Sequence, residues 1–504
     1  MSGKYFLTCD IGTSVTKTVL YDTSFNAVAS ASEENVVKHE QPCWLEEDPD
    51  QWWTSITREI LKVTANIDSS EIVGIGTTAQ MHAPMLVDRN GRLLFPCLSW
   101  PDGRTVQFVE EISEKTGVSQ PYFTSTAPKI LWIKRHNPRI IEETYKVLLP
   151  KDFIRMKLSN TFCTDTTDAP GTAMYDDIKK AWNPNIIDYI GLEKDQLPDV
   201  FPSDEIVGSV TEEAAKNTGL SEGTPVIAGA ADFGIGREVE RFHVKQKDIL
   251  LYLGTGPGLT WMAPIEEKSA NALDYSPTFC ILGVAGTAPQ WFKNTFCQEE
   301  TAKAKQQGIG IYQLLENEAN KIEPGVNGLI FLPHLMGERA YNGRTWGEKG
   351  YLNPFVRGVF FGLCMGHTRM HMYRAILEGI TYHLRLCWQR IQEHNPGGSA
   401  NLIITTGGGA QSHLWRQIIA DTFNLPVCRL KELETSTLGL ACLISVATGI
   451  HKNFQEAVTK IENPTIDEVK PIARNLNIYK EMFKKYSALE TVLEPLFTEN
   501  TSFS

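Results

Sequence analysis

The chain has 504 residues, of which 42% are hydrophobic and 21% charged. This length and composition exclude an intrinsically disordered protein and are typical of two or three globular domains. The formal net charge of −12 argues against general binding of nucleic acid or of anionic membranes. A phosphate ligand remains possible, because backbone N–H groups can hold one locally.

The N-terminus and the cysteines point to the cytoplasm. The first residues lead directly into a strand-like run and show no secretory signal pattern. The ten cysteines form no CxxC pair and no zinc-binding spacing with histidine, so we expect reduced thiols. The longest apolar stretch, residues 438–450, is broken by glycines and is shorter than the ~20 residues that a membrane span needs.

The chain opens with a strand, a Gly-Thr turn and a second strand. Residues 5–10 and 15–21 are strand-like, residues 12–14 break them, and a third run follows at 27–31. The same arrangement returns at 248–253, 254–258 and 259–263. This repetition predicts an internal duplication, with one domain over residues 1–246 and a second over 247–504.

Helical and strand-like segments alternate through the rest of the chain. Residues 49–65 begin with an acidic cap and a proline, as helices often do, and 375–392 and 414–423 are also predicted helices. Residues 72–77, 226–230 and 402–405 are predicted buried strands, and the tail from 453 to 504 is mostly helical. The alternation predicts an α/β fold.

Two Gly-Thr turns could hold a polyphosphate. Asp10 ends the first strand, and the turn after it offers backbone N–H groups and hydroxyls from Gly12, Thr13 and Ser14, with Lys17 beyond. A carboxylate there could hold Mg²⁺ through water. Taken singly this is an ordinary β-turn, but its pairing with Gly254, Thr255 and Gly256 favours a clamp on both sides of a polyphosphate.

A glycine-rich turn follows the predicted strand 402–405. It contains Gly407, Gly408, Gly409, Ala410 and Ser412, and it precedes a helix. Glycines allow a ligand to approach the backbone closely. The spacing matches neither the P-loop nor the dinucleotide-binding fingerprint, so it favours neither a P-loop NTPase nor a dehydrogenase.

Asp232 closes the predicted strand 226–230 among small residues. A carboxylate in this setting can accept the proton of an alcohol during phosphoryl transfer. The alternative is an aspartate that only caps its loop.

Two further stretches have the composition of a polyol site. Gln80, Met81 and His82 directly follow the strand 72–77, although a lone histidine is more often structural. Trp100 stands close to Asp102 and Arg104 in a glycine turn, which offers an apolar wall and charged groups for hydroxyls; the alternative is a surface turn.

The ordered set of these motifs resembles the FGGY family of carbohydrate kinases over nearly the whole chain. The Gln-Met-His triplet and the Trp-x-Asp-Gly-Arg stretch are most similar to xylulokinases. The motifs that carry the resemblance are Asp10 to Thr13, Trp44 with residues 46–53, Gln80 to His82, Trp100 to Arg104, Pro150 to Asp152, Gly229 to Asp232, Gly254 to Gly256, residues 332–339 and 357–363, Leu377 to Gly379, and Gly407 to Gly409.

The resemblance implies two actin-like, ribonuclease-H-like domains with a central cleft. It implies that Asp232 is the general base toward a sugar hydroxyl and that Asp10 helps to place Mg²⁺ and the γ-phosphate. Segments matching Thr13, Thr255 and Gly408 to Gly409 bind ATP in the family, and the pair matching Met81 and His82 contacts the sugar in xylulokinases. We therefore expect the sugar and catalytic base in the first domain and ATP in the second, with Asp10 and Asp232 nearest the metal.

Three departures from xylulokinases bear on the substrate. Phe233 stands where an asparagine usually follows the catalytic acid, and Pro101 also replaces an asparagine. Residues 341–352 form an insertion that we expect to be a surface or cleft-edge loop. None of the three affects the expectation of a kinase.

The sequence thus predicts an ATP- and Mg²⁺-dependent kinase for the primary hydroxyl of D-xylulose or a related ketopentose. Gluconate, L-ribulose or another polyol is the alternative substrate, and a non-kinase actin-like ATPase is the alternative function. We expect sugar and ATP as ligands, no nucleic acid or membrane partner, a possible homodimer, and a cytoplasmic location.

Overall fold

The structure, a computed structural model, describes residues 4–38, 40–41, 43–118, 124–262, 279–282, 285–337, 355–395 and 397–497. The chain divides into two compact units. Unit 1 contains Met1–Phe242 and Glu434–Glu462, and unit 2 contains His243–Leu433 and Asn463–Ser504. The first crossing lies close to the predicted boundary at 246, but the return of Glu434–Glu462 to unit 1 differs from the predicted continuous second domain. The predicted insertion at 341–352 lies outside the described residues.

The β-strands are numbered in chain order. They are β1 Tyr5–Ile11, β2 Val15–Asp22, β3 Ala27–Glu34, β4 Val37–Lys38, β5 Glu46–Glu47, β6 Ile72–Ala79, β7 Met85–Val87, β8 Cys97–Leu98, β9 Lys146–Leu148, β10 Cys163–Asp165, β11 Tyr175–Asp176, β12 Ala181–Trp182, β13 Asp199–Phe201, β14 Ile206–Ser209, β15 Pro225–Ile227, β16 Ala230–Ala231, β17 Ile249–Tyr252, β18 Gly258–Trp261, β19 Phe279–Ile281, β20 Ile330–Leu332, β21 Val359–Phe361, β22 Ile403–Thr406, β23 Val427–Leu430 and β24 Thr465–Val469.

The α-helices are numbered in the same way. They are α1 Pro49–Val63, α2 Gln107–Thr116, α3 Thr126–His136, α4 Pro138–Glu143, α5 Pro150–Ser159, α6 Pro184–Ile190, α7 Glu212–Thr218, α8 Asp232–His243, α9 Ala288–Phe296, α10 Gln298–Gln307, α11 Ile311–Ala319, α12 Arg369–His394, α13 His413–Phe423, α14 Thr435–Ala447, α15 Phe454–Val458 and α16 Ala473–Leu493.

The two units have central sheets of the same topology. In unit 1 the order is β14-β15-β6-β1-β2-β3, and in unit 2 it is β24-β23-β22-β17-β18-β19. In both sheets the first strand of the unit, β1 or β17, pairs in parallel with one neighbour and antiparallel with its hairpin partner. The outer pairs of strands also have the same directions in the two sheets. The predicted duplication is therefore confirmed at the level of strand order and direction.

The unit 1 sheet is covered on both faces, because successive side chains of its strands point in opposite directions. Leu7 and Leu20 pack in a core with α1 and α5, whereas Phe6 and Val19 pack in a core with α8, α14 and α15. A separate core joins α2, α3, α4 and α6. In unit 2 the large core lies around α12, α13 and α16.

Helix α14 contains most of the apolar stretch 438–450. It belongs to unit 1, although it lies far along the chain from the other elements of that unit. It packs on β1 and β6 of unit 1, where two glycines of β6 make room for it. A Cβ on Gly74 would lie 2.7 Å from Ile444 Cγ2, and one on Gly76 would lie 2.9 Å from Leu440. The helix is therefore a buried core element, and no helix among the described residues is both long and apolar enough to cross a membrane.

All ten cysteines lie within the described residues and carry free thiols. Eight are buried, Cys43 is half-buried and Cys364 is exposed. Most of the cysteine side chains therefore belong to the packed interior, and their reduced state in the cell stays a prediction.

Candidate active site

The candidate site of unit 1 lies where three parallel strands end. Ala79 of β6 is in register with Ile11 of β1 and with Ala231 of β16. Asp232 begins α8 immediately after β16, and Gln80 follows β6. Carboxyl ends of parallel strands meet at one sheet edge, which is the usual position of ligand sites in α/β folds.

A sharp bend aims Asp232 at this edge. The predicted strand 226–230 is two short strands, β15 and β16, separated by Gly229 in the left-handed region at φ 77°. A Cβ on Gly229 would lie 2.1 Å from the carbonyl oxygen of Thr77, so only glycine permits this approach to β6. The bend puts Asp232 at the N-terminus of α8, where its Oδ1 accepts a hydrogen bond of 2.6 Å from the Phe233 N–H.

The protonation of Asp232 is strongly perturbed. Burial raises its pKa from the ordinary value to about 7, although the backbone N–H of Phe233 acts in the opposite direction. A carboxyl group with such a pKa can exchange a proton near neutral pH, which is what a general base must do.

Asp10 is the second carboxylate of the site. It lies near the end of β1, in register with Lys17 on β2 and Thr78 on β6. Burial raises its pKa well above the usual range, and the charges of Asp232 and Glu434 raise it further, whereas Lys17 lowers it. Its Oδ1 is buried and has no hydrogen-bond partner among the described residues.

These two carboxylates fit a divalent cation. Oxygen ligands suit Mg²⁺, and a cation would relieve both the repulsion between Asp10 and Asp232 and the unsatisfied oxygen of Asp10. Lys17 is itself paired with Glu434, so its predicted contact with phosphate would have to compete with this ion pair.

A chain of hydrogen bonds joins the Gly-Thr turn after β1 to the amino acids that are predicted to bind the sugar. Trp100 Nε1 donates to Thr13 Oγ1 at 2.8 Å, and that hydroxyl donates to Gln80 Oε1 at 3.0 Å. Gln80 Nε2 in turn donates to Glu47 Oε1 at 2.9 Å, where burial raises the pKa of Glu47 to about 7. The Thr13 hydroxyl is therefore engaged within the protein, and a phosphate contact at Thr13 would come from its backbone.

The backbone of this turn is held by Asn35. Asn35 Nδ2 donates to the Gly12 carbonyl at 2.7 Å, and the Asn35 N–H donates to the Ser14 carbonyl at 2.9 Å. The Gly12 N–H donates to the Val15 carbonyl at 3.0 Å. These bonds fix the loop in one conformation.

Met81 and His82 project from a strained point of the chain. His82 has φ 75°, a conformation that costs energy for a residue with a side chain, and its Nδ1 lies 2.8 Å from the Gly171 carbonyl. A Cβ on Gly171 would lie 2.7 Å from the His82 ring and 3.0 Å from Met81 Cε. Backbone strain of this kind is typical of functional sites.

Asp102 and Arg104 do not lie open to a ligand, which corrects the prediction that they contact hydroxyls. Asp102 is fully buried and accepts hydrogen bonds from the backbone N–H and the guanidinium of Arg104 and from the N–H of Leu45. The guanidinium also donates to Glu46 and stacks 3.8 Å from the ring centroid of Trp44. The pair therefore shapes the loop that carries Trp100 instead of offering charged groups to a sugar.

The glycine-rich turns of unit 2 contact each other. The Gly409 N–H donates to the Leu253 carbonyl at 2.9 Å, and a Cβ on Gly407 would lie 3.2 Å from the nitrogen of Gly254. The Thr255 carbonyl accepts from the Gly286 N–H, and Gly256 is buried beside it. The structure thus brings together the two turns that the sequence assigns to ATP.

The positions after Gly407 differ in how far they are exposed. A Cβ on Gly408 would meet no atom within 4 Å, so this position faces open space. Ala410 is fully buried, and the Ser412 hydroxyl caps α13 by accepting from the Trp415 N–H at 3.1 Å. The predicted nucleotide contact at Ala410 is therefore not available to its side chain in this conformation, whereas accepting this bond leaves the Ser412 O–H able to donate.

A buried charge cluster behind the site was not predicted as functional. Lys151 Nζ lies 2.6 Å from Asp152, 2.8 Å from Asp165 and 3.5 Å from Asp168. Burial alone would lower the pKa of Lys151, but the three carboxylates raise it above its usual range. The only sequence signal was the motif Pro150 to Asp152, whose residue types do not reveal which distant acids it meets.

Comparison with known proteins identifies the family. Residues 5–236 match the N-terminal domain, and residues 281–448 the C-terminal domain, of the FGGY family of carbohydrate kinases. The chain is 29% identical to the xylulose kinase of Bacillus subtilis over 99% of both chains, and 28% identical to the gluconokinase of the same organism over 98% of this chain and 97% of that one.

A solved structure gives the same picture of the fold. The gluconate kinase from Lactobacillus acidophilus is 25% identical with a TM-score of 0.74, and the match covers 98% of this chain and 99% of that chain. With the duplicated sheets, this likeness confirms the predicted actin-like α/β class. The chain belongs to the FGGY family of carbohydrate kinases.

Proposed function

We propose that this protein transfers the γ-phosphoryl group of ATP to a primary hydroxyl of a small sugar, with Asp232 as the general base. The observation that carries the proposal is the position of Asp232 at the strand ends beside Gln80, Met81 and His82, with its pKa raised to about 7. A base with that pKa takes the hydroxyl proton as the oxygen attacks phosphorus.

The other residues position the reactants. Asp10 would hold Mg²⁺, which neutralises charge on the β- and γ-phosphates when bound. The turns at Gly254 to Gly256 and at Gly407 to Gly409 would hold the nucleotide through their backbones. The rigid chain from Glu47 through Gln80 and Thr13 to Trp100 would fix the wall of the sugar site.

D-Xylulose or a related ketopentose is the proposed substrate. The support is the Met81-His82 pair, which resembles the sugar-binding pair of xylulokinases, together with the similarity to xylulose kinases. The hydrogen bond between His82 Nδ1 and the Gly171 carbonyl orients the imidazole ring, which suits a side chain that must contact one particular hydroxyl of the sugar.

A sugar acid such as gluconate is the second candidate. Phe233 follows the base where xylulokinases usually have an asparagine, and the guanidinium of Arg237 lies 5.1 Å from its ring centroid. A cation one helical turn after Phe233 would suit a carboxylate substrate. The similarity to gluconokinases supports this alternative.

The test is ADP release with D-xylulose, L-ribulose, D-gluconate or no sugar. We expect turnover to depend on the sugar and to be fastest with D-xylulose. Sugar-independent ATP hydrolysis would instead indicate an actin-like ATPase and overturn the kinase proposal.

Two variants separate the candidate substrates. Arg237→Gln should lower kcat/KM for gluconate selectively if the acid is the substrate. Phe233→Asn should shift the ranking toward D-xylulose if Phe233 sets specificity. An unchanged ranking in both variants would show that these two residues only pack. The cytoplasmic location and the homodimer stay predictions.

A further inference from the structure

Two histidines and a glutamate from distant parts of the chain meet inside unit 2. His334 follows β20, His383 lies in the middle of α12, and Glu490 lies near the end of α16. His334 is 4% exposed and His383 is 1% exposed, and Glu490 is half-buried. None of the three residues belongs to the candidate active site, and none has a role in the proposed reaction.

Their polar atoms are spaced like the ligands of a transition metal. His334 Nε2 lies 2.9 and 3.1 Å from the two Glu490 oxygens, and His383 Nδ1 lies 3.3 Å from Glu490 Oε1. One ligand atom from each residue lies within 4.8 Å of the others. With metal–ligand distances near 2.0–2.2 Å, the ligand atoms of a tetrahedral zinc site are about 3.3 Å apart, so small side-chain movements would complete the geometry.

The surroundings hold these ligands in place. Tyr486, one turn before Glu490 on α16, donates its hydroxyl to Glu490 Oε1, and that hydroxyl lies 2.8 Å from His383 Nδ1. The two imidazole rings meet edge to face at a centroid distance of 5.1 Å. Because this hydroxyl contacts His383 Nδ1, which is one of the atoms that would bind a metal, it would release that nitrogen on metal binding and keep its bond to Glu490.

We propose that His334, His383 and Glu490 bind Zn²⁺, with water in the fourth position. Two imidazoles and a carboxylate form a donor set that zinc accepts. The metal would join α16 to α12 and to the segment after β20, so its role would be to stabilise unit 2. Without the metal the same atoms form a hydrogen-bonded His–Glu–His group.

The test measures Zn²⁺ binding to the full-length chain after removal of metals by a chelator. The Cys364→Ser background is used throughout, because Cys364 is the exposed thiol and could bind zinc itself. Binding is measured by competition with a fluorescent chelator and as the rise in Tm on addition of Zn²⁺ alone. His383→Asn and Glu490→Gln are compared with His394→Asn and Glu393→Gln, which change the same residue types at the exposed end of α12.

We expect one Zn²⁺ per chain, with affinity reduced at least about 10–100-fold in the two site variants and unchanged in the two controls. Zn²⁺ should raise Tm in the background protein and in the controls, but not in the site variants. Absence of binding, or equal affinity in all variants, would overturn the proposal.

Spectroscopy of Co²⁺ keeps the test decisive if a site variant fails to fold. Co²⁺ bound to the Cys364→Ser protein should give the visible bands of a tetrahedral nitrogen and oxygen site, which an excess of Zn²⁺ abolishes. A thiolate-to-cobalt charge-transfer band would place the metal on another cysteine and contradict the assignment.

Discussion

Asp232 should control the pH dependence of the reaction. The base must be deprotonated to accept the hydroxyl proton, and burial raises its pKa to about 7. We therefore expect kcat/KM for the sugar to fall about tenfold per pH unit below 7 and to level off above it. Since the charge of Asp232 raises the pKa of Asp10, the two titrations are linked and the measured value belongs to the pair.

Asp232→Asn supplies the control for this assignment. It should lower kcat by roughly 10²–10⁴-fold and leave ATP affinity largely unchanged. A raised pKa in the folded state means that this side chain contributes less stability as pH rises from its ordinary pKa toward 7. The variant should therefore be at least as stable as the wild type at alkaline pH. Normal turnover, or a pH profile that is flat from about pH 5.5 to about pH 8, would eliminate Asp232 as the base.

Gly408 and Gly409 should respond differently to a side chain. Gly408 faces open space, so Gly408→Val should fold normally and raise the KM for ATP with little change in sugar KM. A Cβ on Gly409 would lie 2.6 Å from the Trp415 ring and 2.9 Å from the Leu253 carbonyl, so Gly409→Ala should lower Tm. The measurement is steady-state kinetics with a thermal melt for both. A higher sugar KM with unchanged ATP KM in Gly408→Val would contradict ATP binding by this turn.

Residue types alone did not reveal which site residues are internal. Asp102 and Arg104 have the composition of a sugar-binding pair, but they bond to each other and to Leu45 and Glu46. In the same way, the Thr13 hydroxyl forms hydrogen bonds with Gln80 and Trp100, which are distant in sequence. The identity of a partner across so many residues depends on tertiary packing and leaves no local signal.

The cluster around Lys151 links the elements that carry the site. Asp165 Oδ2 accepts from the Thr167 hydroxyl at 2.6 Å, and that hydroxyl accepts from the Ala231 N–H at 2.9 Å, directly before Asp232. Asp168 precedes the short 3₁₀ helix Ala169–Thr172, which contains the Gly171 carbonyl that His82 contacts. The cluster therefore fixes both Asp232, the proposed base, and His82, the histidine proposed to bind the sugar.

Lys151→Met should destabilise the protein by about 3–5 kcal/mol, because it leaves three buried carboxylates without their common cation. Lys157→Met on the same helix is the matched control, since Lys157 is partly exposed and its ion pair with Asp50 should contribute less than about 1 kcal/mol. Urea unfolding of both variants at neutral pH measures the difference. Equal midpoints would mean that the cluster contributes no net stability.

Secondary structure and turns were largely predictable, whereas the return of α14 to unit 1 was not. The strands of β1, β2, β6, β17 and β22 follow from short apolar runs bounded by turn residues, and α1 follows from its Asp48 cap and first-turn proline. The apolar run of α14 signals burial but not the sheet that buries it. That information lies in the fit of Leu440 and Ile444 over Gly76 and Gly74.

The chain passes between the two units three times, after Phe242, Leu433 and Glu462. Each unit nevertheless has its own sheet of the same topology and its own core. A duplicated fold with different turn residues at equivalent strand ends permits a division of roles, in which unit 1 carries the proposed base and unit 2 carries the glycine-rich turns.

Hydrogen exchange should reveal this division directly. An accepted sugar at about 100 times its Kd should slow exchange in unit 1, at residues 78–82 and at the start of α8, by up to about 100-fold, because those amides open only when the ligand leaves. A non-hydrolysable ATP analogue should instead slow exchange at residues 253–256 and 407–411 of unit 2. A sugar that supports no ADP release serves as the control and should protect neither set. Protection of residues 407–411 by the sugar alone would contradict the assignment of the sugar to unit 1 and of ATP to unit 2.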